Sequence, residues 1–159
     1  MKIVPLKQKR KYDCGPASLR MAFNYFKLQM PYKKLVTLSG CNPEKGTTTK
    51  KMINAIKKMG LKAKSKYDAT WKELKKNNKQ NNVVIILWML DGDTEHYSVV
   101  EKLTKRRIYF ADPWRGRTIG VKKKYFMKMW VGYKKFKYPK TSDDVLLRWM
   151  CVINKGKTK

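Results

Sequence analysis

Eight consecutive apolar residues, Val83 to Leu90, constrain this chain more than any other feature. The run is far short of the roughly 20 residues a membrane-spanning helix needs. Within it, Val83 to Trp88 is rich in β-branched side chains and offers no polar face to water. Such a segment reads as a central strand covered on both faces. A strand of that kind requires other elements to close over it, and the patterns on either side supply them.

Upstream the spacing is helical. Leu19, Ala22, Phe23 and Phe26 recur at the interval of one helix face, with Arg20, Asn24 and Lys27 opposite them. Cys14-Gly15-Pro16 opens this helix: Pro suits a first turn, where a missing N–H costs nothing, and Asp13 is placed to cap it. A second helix is predicted over Thr48–Met59, with Thr47 as cap, Met52, Ile53, Ile56 and Met59 as its apolar stripe, and Gly60 as its stop. Shorter helices are expected over Pro31–Leu38 and Thr70–Lys76. Downstream, His96–Lys102 and Arg107–Asp112 flank the polar stretch Leu103-Thr104-Lys105-Arg106 as a hairpin. Tyr125–Trp130 reads as helix and Val145–Ile153 as a last strand or helix. Helices first and antiparallel strands later predict an α+β fold. No linker, repeat or low-complexity block divides the 159 residues, so a single domain is expected.

Charge limits the function classes. Thirty-nine Lys and Arg against 11 Asp and Glu leave a net charge of +28, which makes non-specific attraction to nucleic acid or an anionic membrane surface hard to avoid. Of those cations 32 are Lys and 7 are Arg. Geometrically defined phosphate grips favour Arg, so the pattern reads first as a solvated Lys-rich surface. Cys14, Cys41 and Cys151 lack CxxC spacing and cannot all pair. With one histidine in the chain they make no metal site, and they point to a reduced, cytoplasmic protein. Neither an export signal nor a transmembrane segment is visible.

Two residues carry chemistry by position. A thiol at a helix N-terminus meets unpaired N–H groups and the positive end of the dipole, and both favour the thiolate of Cys14. His96 is the single histidine. With the hairpin centred at Thr104, His96 falls directly opposite Asp112, Ser98 opposite Phe110 and Val100 opposite Ile108. Asp112 can then accept a hydrogen bond from the imidazole and act as orienter of a base. A slip of one residue would send the two side chains to opposite faces. Asp91, Asp93 and Glu95 crowd the approach to His96, either as a polar turn or as attractors of a basic stretch of substrate.

Gln8, then Asp13-Cys14-Gly15-Pro16-Ala17-Ser18-Leu19, then His96-Tyr97-Ser98-Val99-Val100, then Asp112-Pro113 with Gly116 beyond, resembles the bacteriocin-processing peptidase family. Gly46-Thr47-Thr48, Phe126, Trp130 and Gly132 extend the likeness, which covers residues 3–132 and leaves 133–159 as a basic C-terminal extension. Members of that family are papain-like cysteine peptidases, often fused to ABC exporters, that cut leader peptides after a double-glycine sequence. The resemblance implies a papain-like fold with N-terminal helices packed on an antiparallel sheet. It implies Cys14 as nucleophile, His96 as base and acid, Asp112 as orienter and Gln8 as side-chain donor to the oxyanion beside the Cys14 N–H. It implies a peptide or protein substrate and no cofactor. No transporter or ATPase segment follows, so the expectation is a stand-alone peptidase. The alternative is a basic binding protein for nucleic acid or anionic surfaces with an idle cysteine site. In it, the interleaved Tyr133-Lys134-Lys135-Phe136-Lys137-Tyr138, which reads first as a strand or edge with alternating apolar and solvated faces, would offer rings for base stacking.

Overall fold

In the computed structural model, which describes residues 2–134 and 139–156, the apolar run lies inside a six-stranded sheet. Three helices come first: α1 (Cys14–Tyr25), α2 (Tyr32–Leu38) and α3 (Thr49–Lys58). A strand β1 (Lys62–Lys66) and helix α4 (Trp71–Asn77) lead to the strands β2 (Val83–Leu90), β3 (Thr94–Leu103), β4 (Arg107–Asp112) and β5 (Arg117–Lys122). Helix α5 (Lys123–Met129) follows, then β6 (Val131–Tyr133), β7 (Val145–Leu147) and β8 (Met150–Asn154). The sheet order is β1-β8-β2-β3-β4-β5, antiparallel throughout, and β6 and β7 form a separate two-stranded ribbon. The fold is α+β, as the order of patterns predicted.

Every residue of β2 is buried, because each face of the sheet has its own core. Val83, Ile85 and Leu87 join Leu19, Phe23, Met52 and Ile56 beneath the N-terminal helices. Val84, Ile86 and Trp88 join Phe110, Phe126 and Trp130 on the other face. Burying a side chain of this size contributes about 1.5–3 kcal/mol, so an eight-residue strand covered twice anchors the domain.

The helix ends refine the sequence reading. Thr48, not Thr47, caps α3, its hydroxyl accepting from the Lys51 N–H. The helix closes in a Schellman arrangement, with Gly60 at φ +73° and the Gly60 and Leu61 N–H groups reaching the Lys57 and Ile56 carbonyls. Asp13 gives α1 no side-chain cap; its carboxylate turns instead to Arg10, 3.0 Å away. An attractive charged donor three residues upstream outcompetes the neutral N–H groups of the helix.

Strands β1 and β5 were not expected from sequence, and the segment Val145–Ile153 proves to be two strands separated by Arg148 at φ +46°. Strand β8 lies between β1 and β2, so part of the basic C-terminal stretch is interior sheet. Of the aromatic–cation segment 133–138, residues 135–138 lie outside the described residues. Among the described residues no helix is long and apolar enough to cross a membrane.

Candidate active site

The site begins with the register of β3 against β4. Near the hairpin tip Leu103 pairs with Ile108 and Lys102 with Tyr109. Continued inward, that register would put His96 and Asp112 on opposite faces. A bulge at Glu101 resets it, so that Val100 pairs with Phe110 and Val99 with Ala111. Asp112 therefore stands beside Ser98 rather than directly opposite His96, the pairing expected from sequence. The shift is two residues, which preserves the face. His96 and Asp112 meet diagonally, Nε2 to Oδ2 at 2.8 Å, with 2% and 0% of their surfaces exposed.

Protonation follows from these contacts. A carboxylate only accepts, so Nε2 carries the proton given to Asp112, and Nδ1 is left for a second partner. Cys14 is the other ionisable group that acts on the ring, and it favours the imidazolium. Burial alone would lower the pKa of His96, but Asp112 and Cys14 outweigh it and raise the group from 6.5 to about 9. Burial likewise works against the Asp112 carboxylate, yet His96 and the Arg115 N–H, 2.8 Å from Oδ1, hold it below its ordinary range.

Two contacts fix the N-terminus of α1 at this place. The Ser18 hydroxyl donates to the Tyr97 carbonyl at 3.3 Å, tying the helix to β3. Gly15 permits the approach of the loop before α3: a Cβ there would sit 2.5 Å from Thr47 Oγ1 and 2.6 Å from its Cβ. Cys14 is thus followed by glycine because the chain is too close for anything larger.

The Gln8 side chain is engaged by the loop that leads into α1. Its Nε2 donates to the carbonyls of Arg10 (2.8 Å) and Lys11 (3.0 Å), and its backbone N–H to that of Pro113 (2.8 Å). Both amide hydrogens therefore bond carbonyls of the loop that enters Cys14 in this structure. Helix geometry leaves the first N–H groups of α1 without intrahelical acceptors, and the Cys14 N–H is one of these.

The thiol opens onto a cleft of about 1330 Å³. Leu87, Tyr97 and the ribbon residues Tyr133, Leu146 and Leu147 supply apolar walls, and Asp93 and Glu95 line one side. Glu95 accepts the Tyr133 N–H, which docks the ribbon on β3, and burial raises its pKa despite that bond. Asp91 instead faces Arg115 at 3.5 Å. The ribbon was not legible from sequence as a wall of the site: β7 falls within the segment read as a last strand or helix, but nothing in the pattern pairs it with β6. Among the described residues no cluster of His, Cys, Asp and Glu is arranged to hold a metal ion.

Comparison with known proteins places this geometry. The model of the peptidase C39 family matches residues 2–141. An uncharacterized protein of Methanothermobacter thermautotrophicus is 33% identical over 125 residues, which is 79% of this chain and 81% of that one. The lactococcin-G-processing and transport ATP-binding protein of Lactococcus lactis subsp. lactis is 29% identical over 136 residues, 84% of this chain and 18% of that longer protein. The crystal structure of a double glycine motif protease from an AMS/PCAT transporter, in complex with the leader peptide, superposes with a TM-score of 0.71 at 21% identity, covering 96% of this chain and 93% of that one. The shared fold is the papain-like one.

Proposed function

The chain belongs to the peptidase C39 family and is a cysteine peptidase, and from that premise we propose that Cys14, His96 and Asp112 are its catalytic residues. The single observation that carries this assignment is the buried 2.8 Å bond from His96 Nε2 to Asp112, on an imidazole whose charged form Cys14 also favours. Transfer of the Cys14 thiol proton to Nδ1 of His96 gives a thiolate and an imidazolium. The sulfur attacks the scissile carbonyl, and His96 passes its Nδ1 proton to the departing amine as the C–N bond breaks, leaving a thioester. Water then attacks the thioester while Nδ1 takes its proton, and the thiolate leaves, which restores the pair. Asp112 keeps the proton on Nε2 throughout and offsets the imidazolium charge.

The tetrahedral oxyanion takes the Cys14 N–H as one donor. Gln8 becomes the second when its amide exchanges the longer bond, to Lys11, for the oxyanion. The substrate is a peptide or protein segment lying in the cleft, cut after a double-glycine-type sequence. The family and the leader peptide bound to the structural relative support that reading. The test is mass-spectrometric cleavage mapping with peptides carrying double-glycine, alanine-glycine and bulky pairs before the same bond. Cleavage confined to the small pairs, and lost in Cys14→Ala, is the expected result. Indifference to the pair would remove the specificity, and cleavage by Cys14→Ala would remove the mechanism.

A further inference from the structure

The carboxylate of Asp112 has a neighbour that the mechanism above does not use. The Ser98 hydroxyl lies 3.2 Å from Asp112 Oδ2, the same oxygen that receives His96 Nε2, and the indole Nε1 of Trp88 lies 3.1 Å from the Ser98 oxygen. All four side chains are buried. They share one face because Trp88 pairs with His96 across β2 and β3, and the Glu101 bulge brings Asp112 beside Ser98. The direction of the chain of bonds is fixed by chemistry. An indole N–H only donates and a carboxylate only accepts, so the hydroxyl must accept from Trp88 and donate to Asp112.

Trp88 is itself immobilised. Its ring stacks on Phe110 with centroids 5.2 Å apart and meets Phe126 at 6.1 Å. The orientation of the hydroxyl is thus set by the packing of the second core. With Ser98 on Oδ2 and the Arg115 N–H on Oδ1, the carboxylate plane is held from both oxygens. A buried carboxylate with one of those bonds missing is less restrained about its last torsion and aims less well at the imidazole.

We infer that Ser98 and Trp88 are positioning residues of this peptidase: a one-way hydrogen-bond relay, Trp88 to Ser98 to Asp112, that aims the carboxylate at His96. The inference rests on His96 being the catalytic base, but its test reads the imidazole directly. The chain contains one histidine, so a single set of imidazole resonances reports the site in a ¹⁵N-labelled protein. The ionisable groups that meet this ring are Cys14 from α1 and Asp112 from β4, with Arg115 behind Asp112.

The experiment titrates His96 by long-range ¹H–¹⁵N NMR in the wild type, Ser98→Ala, Ser98→Thr and Trp88→Phe, and measures kcat and KM on a cleaved peptide. In the wild type the imidazolium persists to about pH 9. Loss of aim leaves burial as the dominant influence, so the midpoint in Ser98→Ala and Trp88→Phe is expected to fall by one unit or more. Turnover falls about tenfold with KM unchanged, and Ser98→Thr, which keeps the hydroxyl, stays within twofold of wild type. Trp88→Phe carries the test if Ser98→Ala does not fold. An unmoved midpoint in Trp88→Phe, with only a lowered melting temperature, overturns the relay. A moved midpoint in a protein that cleaves nothing would keep the relay and sink the peptidase mechanism instead.

Discussion

Cys14 and Cys41 lie on either side of the Tyr12–Asp13 segment, and they show how little the thiol itself decides. Cys14 stands at a helix N-terminus, half-buried, against an imidazole that is charged below about pH 9. Cys41 stands 3.2 Å from the Tyr12 carbonyl oxygen and 3.7 Å from the Asp13 carboxylate, both of which repel a thiolate. Burial and that carboxylate, against a hydrogen bond from Thr47, push its pKa up to about 11. Cys151, in the core beneath α3, is pushed to about 12 by burial. On the proposed assignment, one of three identical groups is the nucleophile because it stands at a helix N-terminus near a charged imidazole, while acceptors or hydrocarbon surround the other two.

The largest predicted effect breaks that contrast outright. Cys14→Ala lowers peptide hydrolysis by at least about 10³-fold, while Cys41→Ala stays within twofold; steady-state cleavage of a double-glycine peptide measures both. Next, Gln8→Ala lowers hydrolysis by roughly 10²-fold yet leaves the iodoacetamide labelling rate of Cys14 unchanged, because alkylation forms no oxyanion. Equal losses in the two assays would reduce Gln8 to a loop-folding residue. Asp112→Asn sharpens the comparison through pH. His96 has a folded pKa raised from 6.5 to about 9, so its charged form stabilises the fold fully below 6.5 and that contribution is lost as pH rises through about 9. Hydrolysis shows an alkaline limb near the same value, since a neutral imidazole cannot protonate the leaving amine, and Asp112→Asn moves that limb downward.

Smaller effects separate the site from the scaffold. Gly15→Ala forces α1 away from Thr47 and costs about 1–3 kcal/mol, and it slows Cys14 labelling because the helix N-terminus moves. Thr70→Ala, at the cap of α4, costs about 1 kcal/mol and leaves labelling unchanged. Thermal unfolding paired with labelling distinguishes the two.

Much of this arrangement is readable from the sequence where local chemistry dominates. Helix α1, its start at Cys14, and the doubly covered strand β2 follow from periodicity and from Pro16. Strand β1 does not: Lys62-Ala63-Lys64-Ser65-Lys66 carries no strand signal, and its structure comes from pairing with β8, almost ninety positions later in the chain. The His96–Asp112 contact was predicted for a hairpin without irregularity. The actual tip register has the wrong parity, and a bulge at Glu101 that no glycine announces restores it. Ser98 sat in view within the His96-Tyr97-Ser98 motif, but its bond to Asp112 depends on that bulge and on an indole eight residues before His96.

The most direct test of the central contrast is the pH dependence of iodoacetamide labelling at each cysteine, read by peptide mass spectrometry in wild type and His96→Ala. Cys14 is predicted to label at least tenfold faster than Cys41 and Cys151 at pH 6 and to lose that advantage without His96. Labelling of Cys14 at the pace of the other two, rising only toward the ordinary thiol range of about 8.5, would contradict a thiolate–imidazolium pair and with it the catalytic assignment.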